Sequence, residues 1–381
     1  MRKTLFLAIG LLLSACTSME KINPVNWFSS APKAKPTELG PIEPSARLAL
    51  SWQAGVGGAG GYVLTPALAG ASVYAAAQDG TLARFDGGTQ LWRIGVGQGI
   101  SGGVGSDGQV VVVATAKGEV LAFDNSGKPL WKDRVSSEVL AAPKVAQGLV
   151  LVRSADSRIF AFDAADGKRK WVYQRSTPAL TLRSNAGVTI AGKMALVGFP
   201  GGKLVAIALS NGAAMWEATV ALPKGATELE RISDITSVPV VAGRDVCAAA
   251  YQGRVACFDL ASGNLLWSRD ISSGAGIDVD GRNLYVTDDR GAVHALDRAN
   301  GATVWKQDKL LMRQVSRPLA LGEHVAVGDF QGVIHLLRRE NGVFAARLNT
   351  DGSGIAAEPQ RYEGGLLVQT RNGGLYAVKI D

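Results

Sequence analysis

Short apolar runs alternate with polar turns along nearly the whole chain, and the pattern returns about every forty residues. One unit reads Val73 to Ala77, then Asp79-Gly80, then a second apolar run ending at Phe85-Asp86, then Gly88 and Trp92. Apolar or alternating runs of this length, bounded by Gly and Asp, predict strands. Asp79-Gly80, Lys117-Gly118 and Arg290-Gly291 supply the positive φ of a tight hairpin. An Asp-x-x-x-Gly stretch such as Asp259 to Gly263 makes the next turn, its carboxylate free to accept backbone N–H bonds. The unit closes on a tryptophan that opens the outer strand, where its ring can be buried against the neighbouring unit. These closing residues are Trp92, Trp131, Trp171, Trp216, Trp267 and Trp305, with Ala346 in the equivalent place of a seventh unit. Self-similarity at this period predicts an all-β propeller of four-stranded antiparallel blades, each burying its faces against the next. The repeated aspartates and tryptophans are therefore read as structural.

The ends predict how the ring closes. Leu366 to Ile380 holds two strands and stops before any tryptophan, whereas Trp52 precedes Trp92 by 40 residues with no hairpin of its own. Each end lacks what the other has, so Arg47 to Trp52 is expected to supply the outer strand of the final blade and close an eight-bladed ring.

The first residues have a different character. Arg2-Lys3 precede the apolar run Leu5 to Leu13, which is too short to span a bilayer, and Leu13-Ser14-Ala15-Cys16 fits a bacterial lipobox. Residues 1–15 are therefore expected to be a lipoprotein signal peptide and Cys16 the lipidated residue. Thr17, in place of the Asp that marks inner-membrane retention, directs the mature chain to the outer membrane. Pro24, Pro32, Pro36, Pro41 and Pro44 make residues 16–45 a flexible tether, with Trp27-Phe28 its one apolar spot. Fully extended, such a tether reaches on the order of 90 Å. The propeller is then 46–381.

Charge and cysteines change the picture little. The net charge is +7, but Lys and Arg are scattered rather than gathered into a stripe, which excludes a phosphate track; no nucleic acid is expected as partner. Beyond Cys16 the chain has Cys247 and Cys257, placed symmetrically about Gln252 so that they can face each other across a hairpin. The equivalent pairs elsewhere, Val112 with Ala122, Leu151 with Ala161 and Tyr285 with Ala295, are core residues. A small core pair and a disulfide formed in an oxidising compartment both fit.

Chemistry of the catalytic kind is scarce. His294 and His335 fall at equivalent places in successive blades, as a shared packing feature and not a metal pair. Asp278-x-Asp280-Gly281 lacks the downstream Glu of a calcium loop, and the glycine-rich stretches at 55–61 and 95–105 lead into no helix. No metal, cofactor or catalytic group is expected.

The breaks in the period say more. Successive Trp-to-Trp spacings are 39, 40, 45, 51 and 38, so two insertions flank the blade that ends at Trp216. They contain Ser176 to Arg183 and Lys224 to Asp234, and both run from an outer strand to an inner one, so they emerge on one face. Loops on a rigid scaffold commonly carry function, and leucines beside an arginine suit a protein interface.

The lipobox, the proline-bearing tether, the eight repeats and the segments Thr177 to Arg183 and Glu228 to Asp234 together resemble the BamB family, lipoproteins of the outer-membrane β-barrel assembly machinery. The resemblance covers essentially the whole chain. It implies a non-enzymatic scaffold that binds the periplasmic domains of BamA and helps hand unfolded outer-membrane proteins to it. It also implies that Leu180, Leu182, Arg183 and Asp234 form the BamA contact, with Thr236 standing where a second acid is expected. The competing readings are a quinone-dependent periplasmic dehydrogenase, whose repeat is similar but whose chain is much longer, and a carbohydrate-binding propeller.

Overall fold

The computed structural model describes residues 35–381; the segment expected to be a signal peptide, Cys16 and Trp27-Phe28 lie outside the described residues. It contains eight four-stranded antiparallel sheets, one per repeat. Blades 1 to 7 run from Ala67 to Gly95, Gly102 to Arg134, Lys144 to Tyr173, Thr189 to Thr219, Val240 to Arg269, Gly276 to Gln307 and Leu319 to Asn349. Blade 8 takes three strands from Gln360 to Ile380 and its outer strand, Leu48–Gly55, from the start of the domain. That strand pairs antiparallel with Gly374–Ile380, with Leu48 opposite Ile380 and Gly55 opposite Gly374, as the mismatched ends required.

The core is divided in the same way. Eight apolar clusters each lie between two neighbouring blades; one of them, holding Val73, Ala75, Phe85, Leu367 and Leu375, joins blade 8 to blade 1 and seals the ring. No blade buries its own two faces; each depends on its neighbours.

The closing tryptophans serve these seams. The indole N–H of Trp92, Trp131, Trp171, Trp216, Trp267 and Trp305 donates to the carbonyl of Asn125, Ala164, Leu209, Leu260, Arg298 and Arg339, each in the next blade, at 2.7–3.1 Å. The ring lies over the turn that enters the next blade's outer strand. The glycine of that turn has no alternative: at Gly301, with φ 73°, a Cβ would sit 2.5 Å from the Trp267 ring. The same rule explains Ala346. A tryptophan there would lie on the corresponding turn of blade 8, which is where the chain is open. Reciprocal Arg47 and Asp381 backbone hydrogen bonds, at 3.0 and 2.9 Å, stand in place of the turn.

One boundary differs from expectation. The prolines predict a tether through residue 45, but residues 37–45 lie along blade 7 as a strap. Thr37 N–H donates to Leu311 O at 3.0 Å and Ser45 N–H to Ala345 O at 2.9 Å. Arg313 and Arg347 donate to the Thr37 and Gly40 carbonyls at 3.0 and 2.6 Å. Leu39 and Ile42 pack against the core between blades 6 and 7. Two apolar side chains spaced for alternate contact hold down what proline content alone marks as free.

Candidate partner-binding site

The sheet order places all outer-to-inner connections, together with the hairpin tips between second and third strands, on one face of the ring. Both insertions lie there. The first leaves Arg169–Tyr173 and enters Thr189–Ala191; the second leaves Ala214–Thr219 and enters Val240–Ala242.

Asp234 ties them together. It is 3 % exposed. Its carboxylate accepts the N–H of Leu182 at 2.7 Å, from the first insertion, and the N–H of Gly201 at 3.0 Å, from the blade 4 hairpin tip. Its carbonyl accepts the Tyr251 N–H at 2.9 Å. Arg153 lies nearby, buried, donating to Ala186 O at 3.0 Å with its guanidinium 5.7 Å from the Phe199 ring. Burial pulls the Arg153 pKa down to about 10 while the Asp234 charge opposes the fall, so the group stays a cation at neutral pH. Sequence reasoning expected Asp234 at the surface contact. The structure places its carboxylate inside, with each oxygen accepting one backbone N–H, where it fixes the shape of the loops.

The other three expected residues point outward to different degrees. Leu180 is 40 % exposed and Leu182 half-buried. Arg183 is exposed but held: its guanidinium makes a two-pronged pair with Glu138 at 3.0 and 3.3 Å and lies 5.6 Å from the Tyr62 ring. The Glu138 carboxylate raises its pKa further. Glu138 and Tyr62 come from distant segments, so nothing in the local sequence announces them.

The second insertion presents Leu222 and Leu229, each 67 % exposed. A single reciprocal cap shapes the segment before Asp234. Thr227 Oγ1 accepts the Glu230 N–H at 3.3 Å, and the Glu230 carboxylate accepts the N–H groups of Ala226 and Thr227 at 2.8 and 3.0 Å. This is the hydrogen-bond pattern of a capping box, here closing a single turn, and it is present in the sequence as Thr-x-x-Glu. Leu229 stands between its two members with its side chain to solvent.

The remaining candidates are internal. The Cys247 and Cys257 sulfurs are bonded, with Cα atoms 4.1 Å apart on directly paired strand positions. His294 and His335 each bond the aspartate at the start of their own hairpin, Asp288 at 2.9 Å and Asp329 at 3.1 Å. In the central channel, of about 550 Å³, Asp278 is paired with Arg361 at 2.9 Å and Arg317 reaches Glu358 at 2.5 Å. Among the described residues no cluster of His, Cys, Asp and Glu is arranged to hold a metal ion.

With the geometry in place, comparison with known proteins decides the family. The family model described as outer membrane protein assembly factor BamB matches residues 78–307. A BamB of Bordetella pertussis is 44 % identical over 369 residues, covering 96 % of each chain. The chain belongs to the BamB family. BamB of Burkholderia pseudomallei is 40 % identical, over 98 % of this chain and 96 % of its own, and that of Escherichia coli 32 % identical, over 97 % and 98 %. The crystal structure of BamB from Moraxella catarrhalis superposes with a TM-score of 0.81 at 26 % identity, covering 87 % of this chain and all of that one. A quinohemoprotein alcohol dehydrogenase from Comamonas testosteroni superposes at 0.70 but is 14 % identical, a likeness of fold alone. The BamB relatives favour the assembly-factor reading over the dehydrogenase one.

Proposed function

We propose that the protein is a non-enzymatic scaffold of the outer-membrane assembly machinery, lipid-anchored through Cys16 on the periplasmic face and docked through its two insertions on the periplasmic domains of BamA. The observation that carries the docking reading is the pairing of the insertions. They are the only breaks in an otherwise regular period, they share one face, and the buried Asp234 binds one to the other. Leu180, Leu182 and Leu229 offer apolar anchors. Arg183 offers a guanidinium already oriented by Glu138, which an acidic group of the partner can share or replace. Asp234 acts from below, by shaping both loops.

Membership in a family of outer membrane protein assembly factors supports association with the outer membrane and its assembly machinery. The lipobox at Cys16 supports the anchor. Binding of the purified chain to BamA periplasmic domains, wild type against Arg183→Glu, tests the docking site. Wild type is expected to bind and the folded variant to lose most of its affinity; equal binding would move the site elsewhere. Metabolic labelling with palmitate tests the anchor, the label being lost in Cys16→Ala.

A second reading concerns clients. Leu91, Leu130, Met215, Leu266 and Val304, each just before a closing tryptophan on an unpaired outer edge, are exposed. Such edges can take an added strand, which suits extended segments of unfolded outer-membrane proteins. Site-specific crosslinking from Leu91, Leu130 and Leu266 to such a segment would show it, and its absence from all three would end it.

A further inference from the structure

The hairpin tip of blade 5 departs from its counterparts, and the departure faces the second insertion. In blades 1, 2, 3, 6, 7 and 8 the third tip residue has positive φ: Gly80, Gly118, Ser157, Gly291, Gly332 and Gly373, between 61° and 93°. In each, its N–H closes the turn on Ala77, Thr115, Ser154, Asp288, Asp329 or Thr370. Blade 5 has Gly253 at that position, yet positive φ falls one residue earlier, on Gln252 at 48°. A left-handed non-glycine residue costs about 1–2 kcal/mol, and the glycine beside it goes unused for the purpose.

The strained residue has work to do. With its amide oriented to match its neighbours, the Gln252 side-chain nitrogen donates to the carbonyls of Leu229, Glu230 and Ile232 at 3.3, 3.1 and 3.2 Å. These carbonyls belong to the turn capped by Thr227 and Glu230, in which Leu229 O also accepts the Ile232 N–H at 3.5 Å and the end of the turn leaves further acceptor capacity. Tyr251 N–H donates to Asp234 O at 2.9 Å, and Gln252 N–H to Ser272 Oγ at 2.6 Å. The Cys247–Cys257 bond staples the hairpin a few residues below. The tip thus grips the second insertion at the turn carrying Leu229 and again at Asp234.

We propose that Tyr251–Gln252 is the positioning element of the partner-binding face, with Gln252 holding the Leu229 turn in the shape that docks on the BamA periplasmic domains. This rests on the docking function proposed above. Gln252 is a positioning residue, acting through the loop.

The test compares wild type, Gln252→Gly and Gln252→Lys in the purified chain. It reads melting temperature, amide exchange across residues 226–232 and affinity for BamA periplasmic domains. Gln252→Gly relieves the left-handed strain, so melting is expected to stay level or rise, while exchange quickens and affinity falls, each on the order of tenfold for the lost hydrogen bonds. Gln252→Lys, whose ammonium carries three donors where the amide nitrogen has two, is expected to restore both toward wild type. Unchanged exchange in Gln252→Gly would overturn the proposal, and so would faster exchange with wild-type affinity. Failure of the wild type itself to bind would remove the docking function and this proposal with it, whereas equal binding by wild type and Gln252→Gly removes this proposal alone.

Discussion

Replacing Asp234 by alanine separates two accounts of this residue that its sequence position leaves indistinguishable. If the carboxylate touches the partner directly, Asp234→Ala lowers affinity and leaves the free protein unchanged. In the structure it is buried and accepts two backbone N–H groups, from Leu182 and Gly201, with the Arg153 cation close by. A hydrogen bond to a buried charged acceptor contributes about 1.5–3 kcal/mol, so two are worth about 3–6 kcal/mol. Removing one member of a buried charged arrangement costs about 3–5 kcal/mol, a figure that overlaps the first and is not added to it. For a domain of this size a loss near 3 kcal/mol lowers the melting temperature by roughly 4 °C where the loops unfold with the ring. Where they open by themselves, the same loss appears as exchange of the Leu182 and Gly201 amides faster by about two orders of magnitude. Scanning calorimetry and amide exchange on wild type, Asp234→Ala and Asp234→Asn decide the matter. Asparagine keeps one acceptor oxygen and should fall between the other two. An alanine variant with unchanged melting and unchanged exchange at Leu182 and Gly201 would refute the internal role.

Further outcomes follow from other contacts. Gly301→Ala drives a methyl group into the Trp267 ring at a positive φ and is expected to cost about 3 kcal/mol in denaturant unfolding. Gly322→Ala, at φ 56° with open space around it, should cost only about 1 kcal/mol. Arg183→Glu should leave melting within about 2 °C of wild type, because an exposed ion pair contributes at most about 1 kcal/mol, while affinity for the BamA periplasmic domains falls sharply. His335 is held below its ordinary pKa by burial, against the pull of Asp329, with Arg347 and Arg313 adding to the depression. The unfolded chain therefore takes up that proton first, so stability is expected to be full above about pH 6.5 and to decline as pH falls below it; His335→Gln should flatten that part of the melting profile. Removing residues 35–46 should lower melting by exposing the surface under Leu39 and Ile42, and no change would mean that the strap contributes nothing.

Much of the fold was legible because each repeat states its own strands and turns, and the mismatch between Trp52 and Leu366–Ile380 states the closure. Even the missing tryptophan at Ala346 has a reason visible afterwards, since the turn it would cover is the chain break. What sequence could not supply was direction. Asp234 looks like any loop acid until the backbone of three blades converges on it. Glu138 and Tyr62 meet Arg183 only through the ring. The strap was hidden by its prolines, although Leu39 and Ile42 were there to be weighed against them. For Cys247 and Cys257, opposition across the hairpin was readable but a bond between them was not.

The closing strand also sets an order of events. Leu48–Gly55 is the first strand of the domain to be made, and its partner Gly374–Ile380 is the last. The ring therefore stays open, with the outer edge of blade 8 and the seam beneath it bare, until that last strand is in place. Long-range pairing of this kind is the slow step of a β fold and its most aggregation-exposed one. New chains thus pass through a stage in which an unpaired strand edge needs shielding from other extended chains, and only the arrival of Gly374–Ile380 brings that stage to a close.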